Sequence, residues 1–141
     1  MVTGSSQGIG RATALLFGSE GARVAVTYHR ERDRALAVVD EIENGGGEAV
    51  ATQLGLATAG SVSRAVGTAL ERWCQVDVLV NTAVYWGDRA PWEAPPFEEL
   101  AAEEWRACFR AALDGRAEAR TLRREAASLS GLTTRRERSH R

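Results

Sequence analysis

Three short apolar runs, Val24–Tyr28, Val50–Leu54 and Val76–Asn81, punctuate a chain whose intervening segments repeat their apolar positions at helical spacing. Each run is rich in β-branched residues and is reached from a helical stretch, which predicts strands of a parallel sheet buried on both faces. Met1–Thr3 has the same character and predicts the stump of a further strand, first in chain order. In Asp33–Asn44 the residues Ala35, Val38, Val39 and Ile42 share one helical face. In Ser61–Trp73 the residues Val62, Ala65, Val66, Ala69, Leu70 and Trp73 do the same, with Ser61 placed as an N-cap. Gly45-Gly46-Gly47 ends the earlier of these helices, because glycine tolerates the left-handed backbone that a helix terminus favours. Alternating strands and helices predict a doubly wound α/β sheet.

After Asn81 the pattern changes. Val84–Pro96 holds three prolines and two of the four tryptophans and predicts a loop. A long helix is expected from about Phe97 to Arg124, carrying Leu100, Trp105, Phe109, Leu113 and Leu122. Ser128–Arg141 has few apolar residues and no period, so the chain divides into a folded unit over 1–127 and a disordered basic tail over 128–141.

Composition agrees with one soluble domain: 141 residues, 44% hydrophobic and 26% charged. No apolar run is long enough to span a bilayer and no charged-then-apolar leader opens the chain, so the expected location is the cytoplasm, away from membranes. The net charge of −1 conceals an asymmetry: residues 1–115 carry 10 Arg against 16 Asp and Glu, and residues 116–141 carry 8 Arg against 3 Glu. The arginines of the tail have no interleaved aromatic residues for base stacking, so nucleic acid is not an expected partner. All 18 basic residues are arginine; lysine is absent. Cys74 and Cys108 lie without metal-ligand or redox spacing and are expected to be buried thiols, and no metal site is expected.

The candidate chemistry lies at the start of the chain, in Thr3-Gly4-Ser5-Ser6-Gln7-Gly8-Ile9-Gly10. A first glycine permits a tight turn, a second lets backbone approach a ligand, and a third allows close helix–strand packing. The amides and dipole of the helix that follows favour a pyrophosphate. The spacing differs from the Gly-x-Gly-x-x-Gly fingerprint, and a plain glycine-rich turn is the alternative on spacing alone.

TGSSQGIG resembles the TGxxxGIG motif of the short-chain dehydrogenase/reductase family, and other segments match it in order. Asp77-Val78-Leu79-Val80-Asn81-Thr82-Ala83 is similar to that family's D-[IL]-L-V-N-N-A-G strand. Phe97-Glu98-Glu99-Leu100 with Glu104-Trp105-Arg106 resembles the start of its fourth helix. The likeness runs to about Leu122 and points to the subgroup that includes 3-oxoacyl-carrier-protein reductases. It implies carbonyl or alcohol oxidoreduction with a nicotinamide dinucleotide held at Gly4, Ser6, Gln7, Gly8, Ile9, Gly10, Asn81 and Ala83. The second strand ends Thr27-Tyr28-His29-Arg30 with no acid at its tip, so Arg30 suits the 2′-phosphate of NADP better than a ribose hydroxyl of NAD. Glu31 and Asp33 would partly cancel its field.

The resemblance also implies a Tyr-x-x-x-Lys pair acting with a serine and an asparagine, and none of these is found. The two tyrosines, Tyr28 and Tyr85, fall too early in the chain, and Ser128 and Ser130 read as tail serines. Ala112 stands where the asparagine is expected, so no catalytic residue is assigned. Gly55 stands where an aspartate would accept from the adenine amine, and Val84 replaces the glycine of N-N-A-G. The implied fold is a partial Rossmann sheet of order 3-2-1-4, with strand 1 shortened, later strands missing and strand 4 an exposed edge. Two functions follow: an NADP-binding oxidoreductase-like chain unable to transfer hydride alone, or a non-catalytic assembly module whose edge pairs with itself or a related reductase. The abrupt basic turn after Leu122 is also what a shifted reading frame or truncated copy would produce.

Overall fold

Every strand of the sheet runs parallel to its neighbours, which forces each connection to cross over through a helix. The computed structural model describes residues 1–85, 93, 95–115, 117, 118, 120 and 121. Its elements are β1 (Val2–Thr3), α1 (Gly8–Ser19), β2 (Arg23–Tyr28), α2 (Arg32–Asn44), β3 (Glu48–Gln53), α3 (Ser61–Trp73) and β4 (Val80–Asn81). A 3-10 turn at Phe97–Glu99 precedes α4, over residues 102–115, and residues 117, 118, 120 and 121 are helical as well. The sheet order is β3-β2-β1-β4, as the family resemblance implies. The tail over 128–141 lies outside the described residues.

Both faces of the sheet are covered, which explains the continuous apolar runs. On one face Val2, Val24 and Val26 pack with Ala14 of α1 and Ala35, Val38, Val39 and Ile42 of α2. On the other, Ala25 packs with Ala69 and Trp73 of α3 and with Val76. Burying one such valine contributes about 2 kcal/mol. The indole N–H of Trp73 donates to Glu48 at 2.6 Å, anchoring the end of α3 to the start of β3.

Four expectations are corrected. The strand expected over Val76–Asn81 forms ladder pairs only at Val80 and Asn81, because β1 offers only Val2 and Thr3 as partners. Ser61 is the first residue of α3 and not its cap; Gly60 takes that place in a left-handed conformation, and the Ser61 hydroxyl accepts from the Gly55 N–H at 2.8 Å. Cys74 is exposed and Cys108 only half-buried, because Cys74 terminates α3 at the surface with a left-handed backbone. The single helix expected from Phe97 to Arg124 begins as a 3-10 turn, Leu100 and Ala101 interrupt it, and its end lies outside the described residues. The triple glycine behaves as predicted: Gly46 is left-handed, and the amides of Gly46 and Gly47 close the end of α2 on Glu43 and Ile42.

Candidate functional site

The glycine loop joins β1 to α1 at the carboxyl end of the sheet, where the strand order reverses, the crevice in which open α/β sheets bind ligands. Two neighbouring strands hold it. Ser5 N–H donates to Thr27 O at 3.0 Å while Thr27 N–H donates to Ser5 Oγ at 2.8 Å. The Ser5 hydroxyl in turn donates to Val2 O, and Gly4 N–H donates to Thr27 Oγ1, each at 2.8 Å. On the β4 side, Thr3 Oγ1 accepts from the amides of Thr82 at 3.0 Å and Ala83 at 3.1 Å, and the Thr82 hydroxyl donates to Thr3 O. Backbone polar groups that leave the regular ladder are thus satisfied by hydroxyls.

The three glycines have separate duties. Gly4 has φ of +67°, and a Cβ on it would lie 2.8 Å from Ala83 Cα. Gly10 packs the first turn of α1 against the loop itself, where a Cβ would lie 2.3 Å from Gly4 O and 2.7 Å from Thr82 Oγ1. Gly8 has φ of +57° with nothing within 4 Å of a Cβ, so its backbone faces open space. Gln7, the cap residue of α1, makes no side-chain capping bond, and no acidic residue stands in the first turn. The start of this 12-residue helix is therefore electropositive and open to an anion.

The remaining predicted residues surround this point unequally. Ile9 is 79% exposed at the start of α1, and Ser6 is half-buried in the loop. Asn81 is exposed at the end of β4, and Ala83, half-buried, lies against Gly4. Arg30 is exposed just after β2. Sequence reasoning missed Arg34, whose guanidinium donates to Gln7 Oε1 at 2.6 Å and pairs with Glu31 at 3.4 Å, so α2 brings a second cation to the loop. It also missed Thr3, Ser5 and Thr27 as structural parts of the site. Their signal is available in principle: Thr3 and Thr27 are hydroxyl residues within buried strands, and Ser5 is a buried hydroxyl in the turn that follows β1. Gly55 sits beside His29, where a Cβ would lie 3.1 Å from the imidazole and 2.8 Å from Thr58 Oγ1. Tyr28 and Ala112, both half-buried, stand at the end of β2 and within α4. Among the described residues no group of His, Cys, Asp and Glu could hold a metal, and no helix is long and apolar enough to cross a membrane.

Comparison with known proteins agrees with this geometry. A 3-oxoacyl-[acyl-carrier-protein] reductase from Synechocystis sp. is 46% identical over 83 residues, 59% of this chain and 34% of that protein. Glucose 1-dehydrogenase 2 from Bacillus subtilis is 36% identical over 105 residues, 74% of this chain and 39% of that protein. Among solved structures, acetoin dehydrogenase from Enterobacter cloacae superposes with a TM-score of 0.78 at 30% identity, covering 92% of this chain and 49% of that one. A short chain dehydrogenase from Burkholderia cenocepacia J2315 in complex with NADP gives 0.77 at 32% identity, covering 88% of this chain and 48% of that one. The chain thus spans about a third of the length of these curated relatives and about half of these solved chains. A glycine loop clasped between the ends of parallel strands recurs with a match to the short chain dehydrogenase family model over residues 1–122, and the chain belongs to that family.

Proposed function

We propose that this chain is the cofactor-binding portion of a short-chain oxidoreductase and holds NADP(H) without transferring hydride on its own. One observation carries the reading: the open backbone at Gly8, at the start of a helix with no acid in its first turn. The residues present fit a dinucleotide. Gly4, Ser6, Gln7, Gly8, Ile9 and Gly10 would hold its pyrophosphate, with Asn81 and Ala83 on the β4 side. Arg30, joined by Arg34, would receive the ribose 2′-phosphate by charge-assisted hydrogen bonds. When bound, NADP(H) supplies a hydride for carbonyl reduction or accepts one from an alcohol. This chain's residues bind and orient it, but no lysine exists to tune a tyrosine as proton donor. The NADP complex of the Burkholderia cenocepacia relative supports the choice of cofactor.

Titration of the purified chain with NADPH, followed by cofactor fluorescence, tests the reading. Saturable binding is expected, weakened at least tenfold by Arg30→Ala and less affected in a parallel titration with NADH. No response at millimolar NADPH, or turnover of a 3-oxoacyl substrate by this chain alone, would refute it.

A second reading, assembly through the sheet edge with a full-length reductase, is favoured by one feature. Among the described residues β4 ends the sheet, with Val78 just before it 53% exposed. Co-purification of such a reductase, lost when Leu79→Pro removes an N–H on the side of β4 facing away from β1, is the expected result.

A further inference from the structure

Gly55 follows β3 in a backbone conformation open to any residue: unlike Gly4 and Gly8, it has no positive φ. What it lacks is room. A Cβ there would lie 2.8 Å from Thr58 Oγ1, 3.1 Å from His29 Cδ2 and 3.3 Å from His29 Nε2. The imidazole edge that carries Nε2 and the hydroxyl of Thr58 thus converge where a side chain at position 55 would begin. Neither the imidazole nor this hydroxyl has a hydrogen-bond partner among the described residues.

The backbone around them is fixed. Leu54 N–H donates to Tyr28 O at 2.7 Å, one step past the last ladder pair Tyr28↔Gln53, and Gln53 Nε2 donates to His29 O at 3.0 Å. Beyond β3, Gly55 N–H donates to Ser61 Oγ at 2.8 Å, and Gly55 O accepts from Thr58 N–H at 3.0 Å. Two exposed side chains, one after β2 and one before α3, are thereby held against a single buried glycine.

We propose, resting on the NADP(H) reading, that His29 and Thr58 together accept the amine of the adenine base, in place of an acid at position 55. β1, β2 and β3 end on one edge of a parallel sheet, so Gly55 lies two strand spacings, roughly 10 Å, from the glycine loop. Arg30 follows His29 directly. An adenosine that extends from a pyrophosphate at the loop, with its 2′-phosphate on Arg30, brings its base to this point. The adenine amine has two hydrogens to donate. A neutral imidazole with its proton on Nδ1 presents Nε2 as an acceptor, and a threonine hydroxyl is a second. Two acceptors within 3.3 Å of one point offer what the two oxygens of a carboxylate would, without its charge. A carboxylate there would add a negative charge to a site that must receive a phosphate, and imidazole and hydroxyl do not. Glycine at position 55 is then the condition for seating His29, rather than a loss alone.

The test titrates the full 141-residue chain with NADPH and with reduced nicotinamide hypoxanthine dinucleotide phosphate, in which a carbonyl replaces the amine, both followed by cofactor fluorescence. NADPH should bind roughly fivefold or more tightly than the deaminated analogue. His29→Phe keeps a flat ring without nitrogen and should abolish that preference, and Thr58→Val should reduce it. Gly55→Asp should weaken NADPH binding in the parent, where His29 fills the space, yet strengthen it in a His29→Ala background. That reversal of sign separates a shared role from two unrelated losses. Equal affinity for the two dinucleotides, an undiminished preference in H29F, or an effect of G55D with the same sign in both backgrounds would overturn the proposal. The cofactor reading would survive those outcomes so long as both dinucleotides bind saturably and Arg30→Ala weakens them alike. Absence of saturable binding of either dinucleotide would overturn both.

Discussion

Ser5 and Thr27 clasp each other through two reciprocal hydrogen bonds, Ser5 N–H to Thr27 O at 3.0 Å and Thr27 N–H to Ser5 Oγ at 2.8 Å. Both residues are fully buried. The clasp fixes the first turn of the glycine loop on the neighbouring strand and so sets where the amides of α1 point. It lies at the end of a two-residue strand, where few ladder bonds could hold the loop instead.

Removing either hydroxyl should therefore cost more than a surface polar substitution. Ser5→Ala leaves the Thr27 N–H buried without its acceptor, and Thr27→Val takes the acceptor from the part-buried Gly4 N–H. Each should destabilise the fold by about 1–3 kcal/mol, the cost of an unsatisfied buried donor. Thr27→Ser keeps the acceptor and should cost less than Thr27→Val. Urea denaturation monitored by tryptophan fluorescence reads the difference; equal midpoints for T27V and T27S would show that the hydroxyl is not the anchor.

The glycines allow stability and binding to be separated. Gly10→Ala forces a Cβ into Gly4 O and Thr82 Oγ1, and the former is backbone that cannot step aside. It should destabilise by about 1–3 kcal/mol, as overpacking does, and abolish NADPH binding. Gly8→Ala meets no atom and pays only for its positive φ, about 1–2 kcal/mol. Its methyl group would stand in the open space assigned to the pyrophosphate. The expected signature is a folded G8A protein with NADPH affinity reduced more than tenfold; unchanged affinity would place the phosphates elsewhere.

Much of this arrangement is legible in the sequence, and the failures have physical causes. The helices Arg32–Asn44 and Ser61–Trp73 follow from apolar periodicity, because both sheet faces are buried, while the strand order follows from the family resemblance. The strand expected at Val76–Asn81 shrinks to two residues because strand formation depends on a partner, and β1 supplies one only at Val2 and Thr3. Arg34 escaped notice because a cation in the first turn of α2 looks like an ordinary solvated residue. Only the fold brings it to Gln7. Gly55 shows the reverse: the sequence marks it as a lost acceptor, yet the structure surrounds it with His29 and Thr58, so restoring an aspartate would first require those side chains to move.

Trp105, Phe109 and Leu113 recur at intervals of four along α4 and are 46%, 49% and 59% exposed, with the two aromatic rings 4.5 Å apart. The helix is seated through small residues instead: Ala111 is buried, and Gly115 approaches Leu56 so closely that a Cβ would lie 2.7 Å from its Cδ2. An exposed apolar stripe promotes association. Leu113→Glu should alter unfolding free energy by no more than about 0.5 kcal/mol, while lowering turbidity and the aggregate fraction at high protein concentration. Light scattering of L113E against the parent checks this. Unchanged scattering would assign aggregation to the sheet edge instead.

The Met1 amine gives the chain a pH dependence of known sign. Burial lowers its pKa below 8.0 in the folded protein, against a weaker opposing effect of Asp77, and unfolding restores the ordinary value. Between the two values the unfolded chain binds more protons, so stability rises with pH across that interval. The contribution is complete above 8.0 and is lost as pH falls through the folded value. Acetylating the amine removes the titrating group. The difference in Tm between the unmodified and acetylated chains should therefore shift in favour of the unmodified one as pH rises towards 8.0, and flatten above it. Taking this difference cancels histidine and carboxylate titration common to both. Asp77→Asn removes the charge that supports the ammonium and should carry the dependence to lower pH. A difference independent of pH in both backgrounds would mean that the amine reaches water in the folded protein.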